Sequence, residues 1–196
     1  MKYSLLVTLL MLFTSSLSST ERKQKSAYVV SISDKISSVD SINKYRNELG
    51  LEPLTYDVET EKLSIIRTSS IYTHLKSLES LESDEFKKNI SKHLHFQSHY
   101  DQLSFHIKLV RSKSKYTMPF AMENVAFLGG YMDSVHLIMF KGWKNSSEHW
   151  DAMMSSSVHS ITMDFKNTDI GIIGNMILFS KFMKKRNGIT HSRKMN

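Results

Sequence analysis

Two side chains in this chain can do chemistry if the fold brings them together: the carboxylate of Glu123 and the imidazole of His149. Arriving from separate segments, such a pair can hold a divalent cation or exchange a proton across a cleft. Other histidines compete for the same work. His93, His95 and His99 lie within one short stretch that can bind metal by composition alone. His159 follows His149 by one segment, and Glu148 stands directly before it.

The surroundings of His149 make local sense. Asn145 or Ser146 can N-cap a short helix running to Met154, which places His149 in its first turn. The positive end of the helix dipole there favours neutral imidazole, the form that binds metal. The bland alternatives stay open. Glu123 can be a carboxylate held by backbone donors at a strand start, and His149 can be a satisfied core residue. Asn145-x-x-Glu148 also reads as a capping box, and Ser146 reads as a cap, since no base stands beside it.

These residues must be positioned by recognisable elements. Val39, Ile42, Tyr45 and Leu49 recur at helical spacing, with Gly50 placed as a C′ residue, so the first clear helix runs from Ser38 to Leu49. A second is predicted from Val58 to Leu78, a third from Tyr100 to Val110, and a fourth from Ser134 to Trp143. Two strand-like runs, 161–165 and 177–182, close the chain, and the Asn- and Gly-bearing link 166–176 between them predicts a hairpin.

Lys2, the apolar run from Leu5 to Phe13 and the small residues Ser16 and Ser18 have the form of a secretory leader covering residues 1–18. No cysteine follows the run, so a lipid-anchored form is excluded, and the fold has no disulfide to hold it. The formal charge of +7 is unevenly spread. Residues 181–196 hold six basic residues and no acid, while 19–180 hold 19 basic and 19 acidic ones. A neutral body gives no reason to expect nucleic acid as a partner. The basic tail can make a weak contact with an anionic membrane surface, or remain solvated. The domain plan is a leader at 1–18, a lead-in at 19–37, one domain at 38–183 and the tail at 184–196.

The sequence Glu123-Asn124-Val125-Ala126, followed by Trp143-Lys-Asn-Ser146-Ser-Glu-His149, resembles the CAP superfamily (SCP/TAPS; cysteine-rich secretory, antigen 5 and pathogenesis-related 1 proteins). Its bacterial branch reads G-E-N-I-A and then W-x-x-S-P-G-H. Asn43, Arg46, Gly50-Leu51, Pro53-Leu54 and Tyr56-Asp57 match the family's first-helix region independently. Met122 stands where the family has glycine, and the usual alanines are missing from the second helix. The resemblance implies an α+β fold, a three-layer α-β-α sandwich, in a single bacterial-type domain.

It also implies a cleft lined by His99, Glu123 and His149, with Glu148 as a further acid and Trp143, Ser146 and Asn124 as supporting motif positions. Phe96-x-x-His99 is the best match to the family's first cleft histidine, with His74, His93, His95 and His106 as competitors. His159-Ser-Ile-Thr-Met-Asp-Phe165 resembles the eukaryotic signature, which makes His159 the rival to His149. His99 and His149 with Glu123 suit zinc or another divalent cation and leave a position open. The expected function is a secreted or periplasmic binding domain taking a cation or a small ligand such as a lipid, sterol or peptide. A metal-dependent hydrolase using Glu123 as base is the alternative, and an envelope protein acting through its tail is another.

Overall fold

The structure is a computed structural model that describes residues 7–8, 29–78, 116–117, 121–129, 133–180 and 183–184. Its elements are β1 (Val7–Thr8), α1 (Ile32–Glu48), β2 (Thr55–Tyr56), α2 (Glu61–Lys76), β3 (Tyr116–Thr117), β4 (Ala121–Leu128), α3 (Val135–Lys144), α4 (Ser147–Met153), β5 (Val158–Thr168), β6 (Gly171–Ser180) and β7 (Met183–Lys184). The third predicted helix and the basic run beyond Lys184 lie outside the described residues. No described helix is long and apolar enough to cross a membrane.

Helix α1 begins at Ile32 rather than near Ser38 because Ser31 and Asp34 cap each other. The Ser31 hydroxyl accepts from the Asp34 amide at 3.2 Å, and the Asp34 carboxylate accepts from the Ser31 amide at 2.9 Å. The helix closes before Gly50, whose φ of 69° lies in the left-handed region that glycine adopts without strain. Its last inner residue, Arg46, is 1% exposed and works as a clamp. The guanidinium donates to the carbonyls of Glu52, Met153, Ser155 and Val158 at 2.7 to 3.2 Å. Asn43 exchanges two hydrogen bonds with the Leu54 backbone. The first-helix motif is therefore a fastening of chain segments.

The main sheet has the order β1-β4-β6-β5-β2. Strand β6 runs antiparallel to both β4 and β5, while the short β1 and β2 pair in parallel at the edges. The β5–β6 hairpin is tighter than the sequence predicts: Thr168 pairs with Gly171, so the turn is only Asp169-Ile170. Gly174, which reads as a turn residue, sits inside β6, as does Asn175 beside it. The backbone of Gly174 is approached closely by Met139, whose Sδ takes the space that a Cβ would need. Glycine is there for packing.

Period-two alternation sends neighbouring residues to opposite faces. Ala126, Leu128, Ile161, Met163, Phe165, Met176 and Leu178 pack with Val39 and Ile42 of α1, Val135, Met139 and Trp143 of α3, and Met153 of α4. On the other face, Val125, Phe127 and Ile173 meet Ile71 and Leu75 of α2, and Ile177 and Phe179 meet Leu63. Helices cover both faces of one sheet. The architecture is α+β, in three α-β-α layers.

Candidate functional site

Strand alternation governs where Glu123 points. Val125 and Phe127 share its face, so its carboxylate lies between the sheet and α2, at 3% exposure. Helix α2 meets it with Arg67, itself 2% exposed. The buried face of α2 is Leu63, Ser64, Arg67, Thr68, Ile71 and Leu75, so the guanidinium stands among hydroxyl and apolar side chains. Arg67 Nε donates to Glu123 Oε1 at 2.6 Å and its second terminal nitrogen to Oε2 at 2.9 Å, a two-pronged contact. Asn175 of β6 adds a third donor, to Oε1, at 2.6 Å.

This trio is the centre of a polar seam. Asn175 pairs in register with Asp164 of β5. The Asp164 carboxylate accepts from Thr68 at 2.5 Å and lies 3.7 Å from Lys35 Nζ. Lys35, on α1, also bonds the carboxylate of Glu61 at the start of α2. Tyr56 completes the rim, its hydroxyl 3.4 Å from the Met163 carbonyl. Burial pushes that hydroxyl well above its ordinary range, and neighbouring Glu61 pushes in the same direction. The seam thus crosses three strands beneath one helix, with Lys35 reaching round the sheet edge from the opposite helical layer.

His149 belongs to that opposite layer. It is fully buried at the third position of α4, whose N-cap is Ser146 and whose last residue, Met153, is part of the α1–α3 core. Asn124, one residue from Glu123 and so on the other face, donates to the His149 carbonyl at 3.3 Å and lies 3.8 Å from Met176 Sδ. Glu123 and the helix carrying His149 are therefore separated by the sheet. A single ion bridging their side chains does not fit this arrangement, and the oxygens of Glu123 are already engaged.

Each other predicted site residue has a definite place. Glu148 is exposed in the first turn of α4. Trp143 is buried, 6.3 Å from the ring of Phe165. Ser146 caps through its position, with no side-chain hydrogen bond to the helix. His159 sits at the start of β5, where the register shifts, and its Nε2 is 3.6 Å from Glu52 at the rim, away from Glu123. His74 is half-buried near the end of α2. His93, His95, His99 and His106 lie outside the described residues. Among the described residues, no group of three or more His, Asp or Glu side chains is placed to hold a metal ion.

Sequence reasoning passed over Arg67, Asn175, Asp164, Thr68 and Lys35. The available signal was the inner stripe of α2. A basic residue at spacing shared with Ile71 and Leu75 must be buried, and a buried cation requires a carboxylate opposite. Glu123, already suspected of lying inside, was that carboxylate.

No family model and no curated protein matches the sequence. Solved structures do. A cysteine-rich secretory protein from Staphylococcus aureus aligns with TM-score 0.45 and 17% identity, over 76% of this chain and 39% of that one. An outer surface protein from Borrelia burgdorferi gives TM-score 0.47 and 15% identity, over 76% of this chain and 94% of the other. An extracellular protein containing an SCP domain from Bacillus anthracis gives 0.47 and 18%, over 76% and 41%. The chain thus spans about two fifths of the Staphylococcus and Bacillus proteins.

Proposed function

We propose that the protein is an exported binding domain of CAP type that holds a small ligand, and that it is not a hydrolase. One observation carries this reading. The residue best suited by sequence to be a general base, Glu123, accepts three hydrogen bonds from Arg67 and Asn175 at 3% exposure. Taking a proton there means giving up charge-assisted bonds in a closed layer, which is poor design for a base and good design for a rigid scaffold. The leader-like run at 1–18 and the Glu-Asn-Val-Ala and Trp-x-x-Ser-x-x-His motifs support the exported, CAP-type part of the reading.

The test is a pair of titrations. Zinc chloride is added at pH 7.5 to the wild type, Glu123→Gln and His149→Ala, and melting temperature is followed. Any zinc-induced shift is expected to survive Glu123→Gln, because that carboxylate is not a ligand. A shift abolished by both substitutions would restore the shared metal site and sink the proposal. Turnover of p-nitrophenyl esters is read on the same three proteins. Hydrolysis above background that disappears in Glu123→Gln means an enzyme. N-terminal sequencing of the exported protein checks the leader, with Ser19 expected first.

A further inference from the structure

The first two turns of α1 are fastened differently from the rest of the helix. Of residues 32–38 only Lys35 and Ser38 are buried, while Ile32 and Ile36 stand 48% and 45% exposed. The Ser38 hydroxyl donates to the Asp34 carbonyl at 3.0 Å, within the helix itself. Asp34 lies 4.0 Å from His136 Nε2 on α3, too far for a hydrogen bond. The strong contact is that of Lys35, whose ammonium bonds Glu61 of α2 and lies 3.7 Å from Asp164 of β5. Apolar anchors stand only at the two ends: Val30, 8% exposed, and Val39, 3% exposed, both in the core shared with α3.

Lifting these turns uncovers no apolar side chain of residues 32–38, so hydrophobic burial within the segment does not resist it. Segments with few buried apolar contacts are where local opening is cheapest. We infer that residues 30–38 form a strap that lifts from the body as one unit, hinged ahead of Val39, with Lys35 as its clasp. Lifting it uncovers the carboxylates of Glu61 and Asp164 at the edge of the polar seam, 19% and 16% exposed with the strap down. The clasp therefore couples the packing of α1 to access to the α2 face. The device requires nothing of a bound ligand, so it stands or falls apart from the proposed function.

Native-state hydrogen exchange on the full chain, followed amide by amide in α1 at low urea, tests it. A lifted stretch of two turns is too short to stay helical in water, so its amides exchange whenever the strap opens. Amides 35–40 are expected to share one opening with one urea dependence, while 44–48 hold until the domain unfolds. Lys35→Met should speed exchange at 35–40 about tenfold, the ratio that one charge-assisted hydrogen bond supports. Lys35→Arg should restore most of the protection. Ile71→Val, a core change away from the clasp, should speed 44–48 and leave 35–40 unchanged, because the lifted state keeps that core. Carbodiimide labelling of Asp164 should rise in Val30→Ala, which loosens the strap while keeping every charged partner.

Protection that falls smoothly toward Ile32 in the wild type, with no shared opening, means ordinary fraying and overturns the strap even if a variant fails to fold. Unchanged exchange at 35–40 in Lys35→Met removes the clasp, and equal acceleration of both groups by Ile71→Val means that α1 opens only with the whole domain. Faster exchange in Val30→Ala without faster labelling of Asp164 would show that the strap does not cover the seam.

Discussion

The two faces of the central sheet draw on the same three strands and follow different rules. Toward α1, α3 and α4, the alternate residues include Ala126 and Leu128 of β4, Met163 and Phe165 of β5, and Met176 and Leu178 of β6, with Asn124 the polar exception on β4. Toward α2, the intervening positions include Glu123, Asp164 and Asn175. The apolar face is held by shape, down to a glycine that makes room for Met139. The α2 face is held by matched charges and donors. Both faces are buried, so the difference is not one of exposure. It lies in what each facing helix supplies: α2 turns its guanidinium onto a strand carboxylate, while that of α1 goes to backbone carbonyls.

The largest effect should come from unbalancing the polar face. Arg67→Met leaves the Glu123 carboxylate buried beside one neutral donor and should cost about 3–5 kcal/mol in urea denaturation. Adding Glu123→Leu to that variant should recover most of the loss, since a buried pair replaced by apolar residues is often nearly neutral. If the double variant stays as unstable as Arg67→Met, the seam is more than a self-contained pair.

The apolar face should respond to volume. Gly174→Ala drives a methyl into Met139 and should cost about 1–3 kcal/mol. Combining it with Met139→Ala should cost less than the sum of the two single changes. Strict additivity would show that shape is not what limits this face.

The smallest effect is expected where α2 charges meet water. Lys76 and Tyr72 both bond Asp169 in the hairpin turn, and hydrogen bonding to Lys76 holds the Asp169 carboxyl below its usual range. A depressed carboxyl adds stability above its unfolded pKa and loses it as pH falls through the folded one. Asp169→Asn should therefore soften the acid limb of the melting-temperature profile slightly, and salt should erase the difference, because the pair is more than half exposed.

Helices α2 and α3 were legible because their apolar stripes are long enough to fix both type and position. The last two strands were legible as strands, but their ends were not. Gly174 and Asn175 are residue types common in turns, and only the third dimension shows that one yields space to Met139 and the other feeds Glu123. For the same reason Glu123 was found as an interior carboxylate, yet its partner was sought among histidines. Sequence spacing says how far apart residues stand along the chain. It does not say on which side of a sheet each emerges, and moving one residue along a strand, from Glu123 to Asn124, reverses that side.

Arg46 ties this geometry to time. Three of its four acceptor carbonyls belong to residues 107 to 112 positions further along the chain. A ribosome delivers α1 long before it delivers β5, so a nascent chain holds a guanidinium whose acceptors have not yet been synthesised. The first helix is thus made early and finished late. Closing so long a loop carries an entropic cost that these bonds repay only once the C-terminal hairpin has docked. Until then the Arg46 guanidinium lacks three of the four carbonyls that hold it in the finished fold.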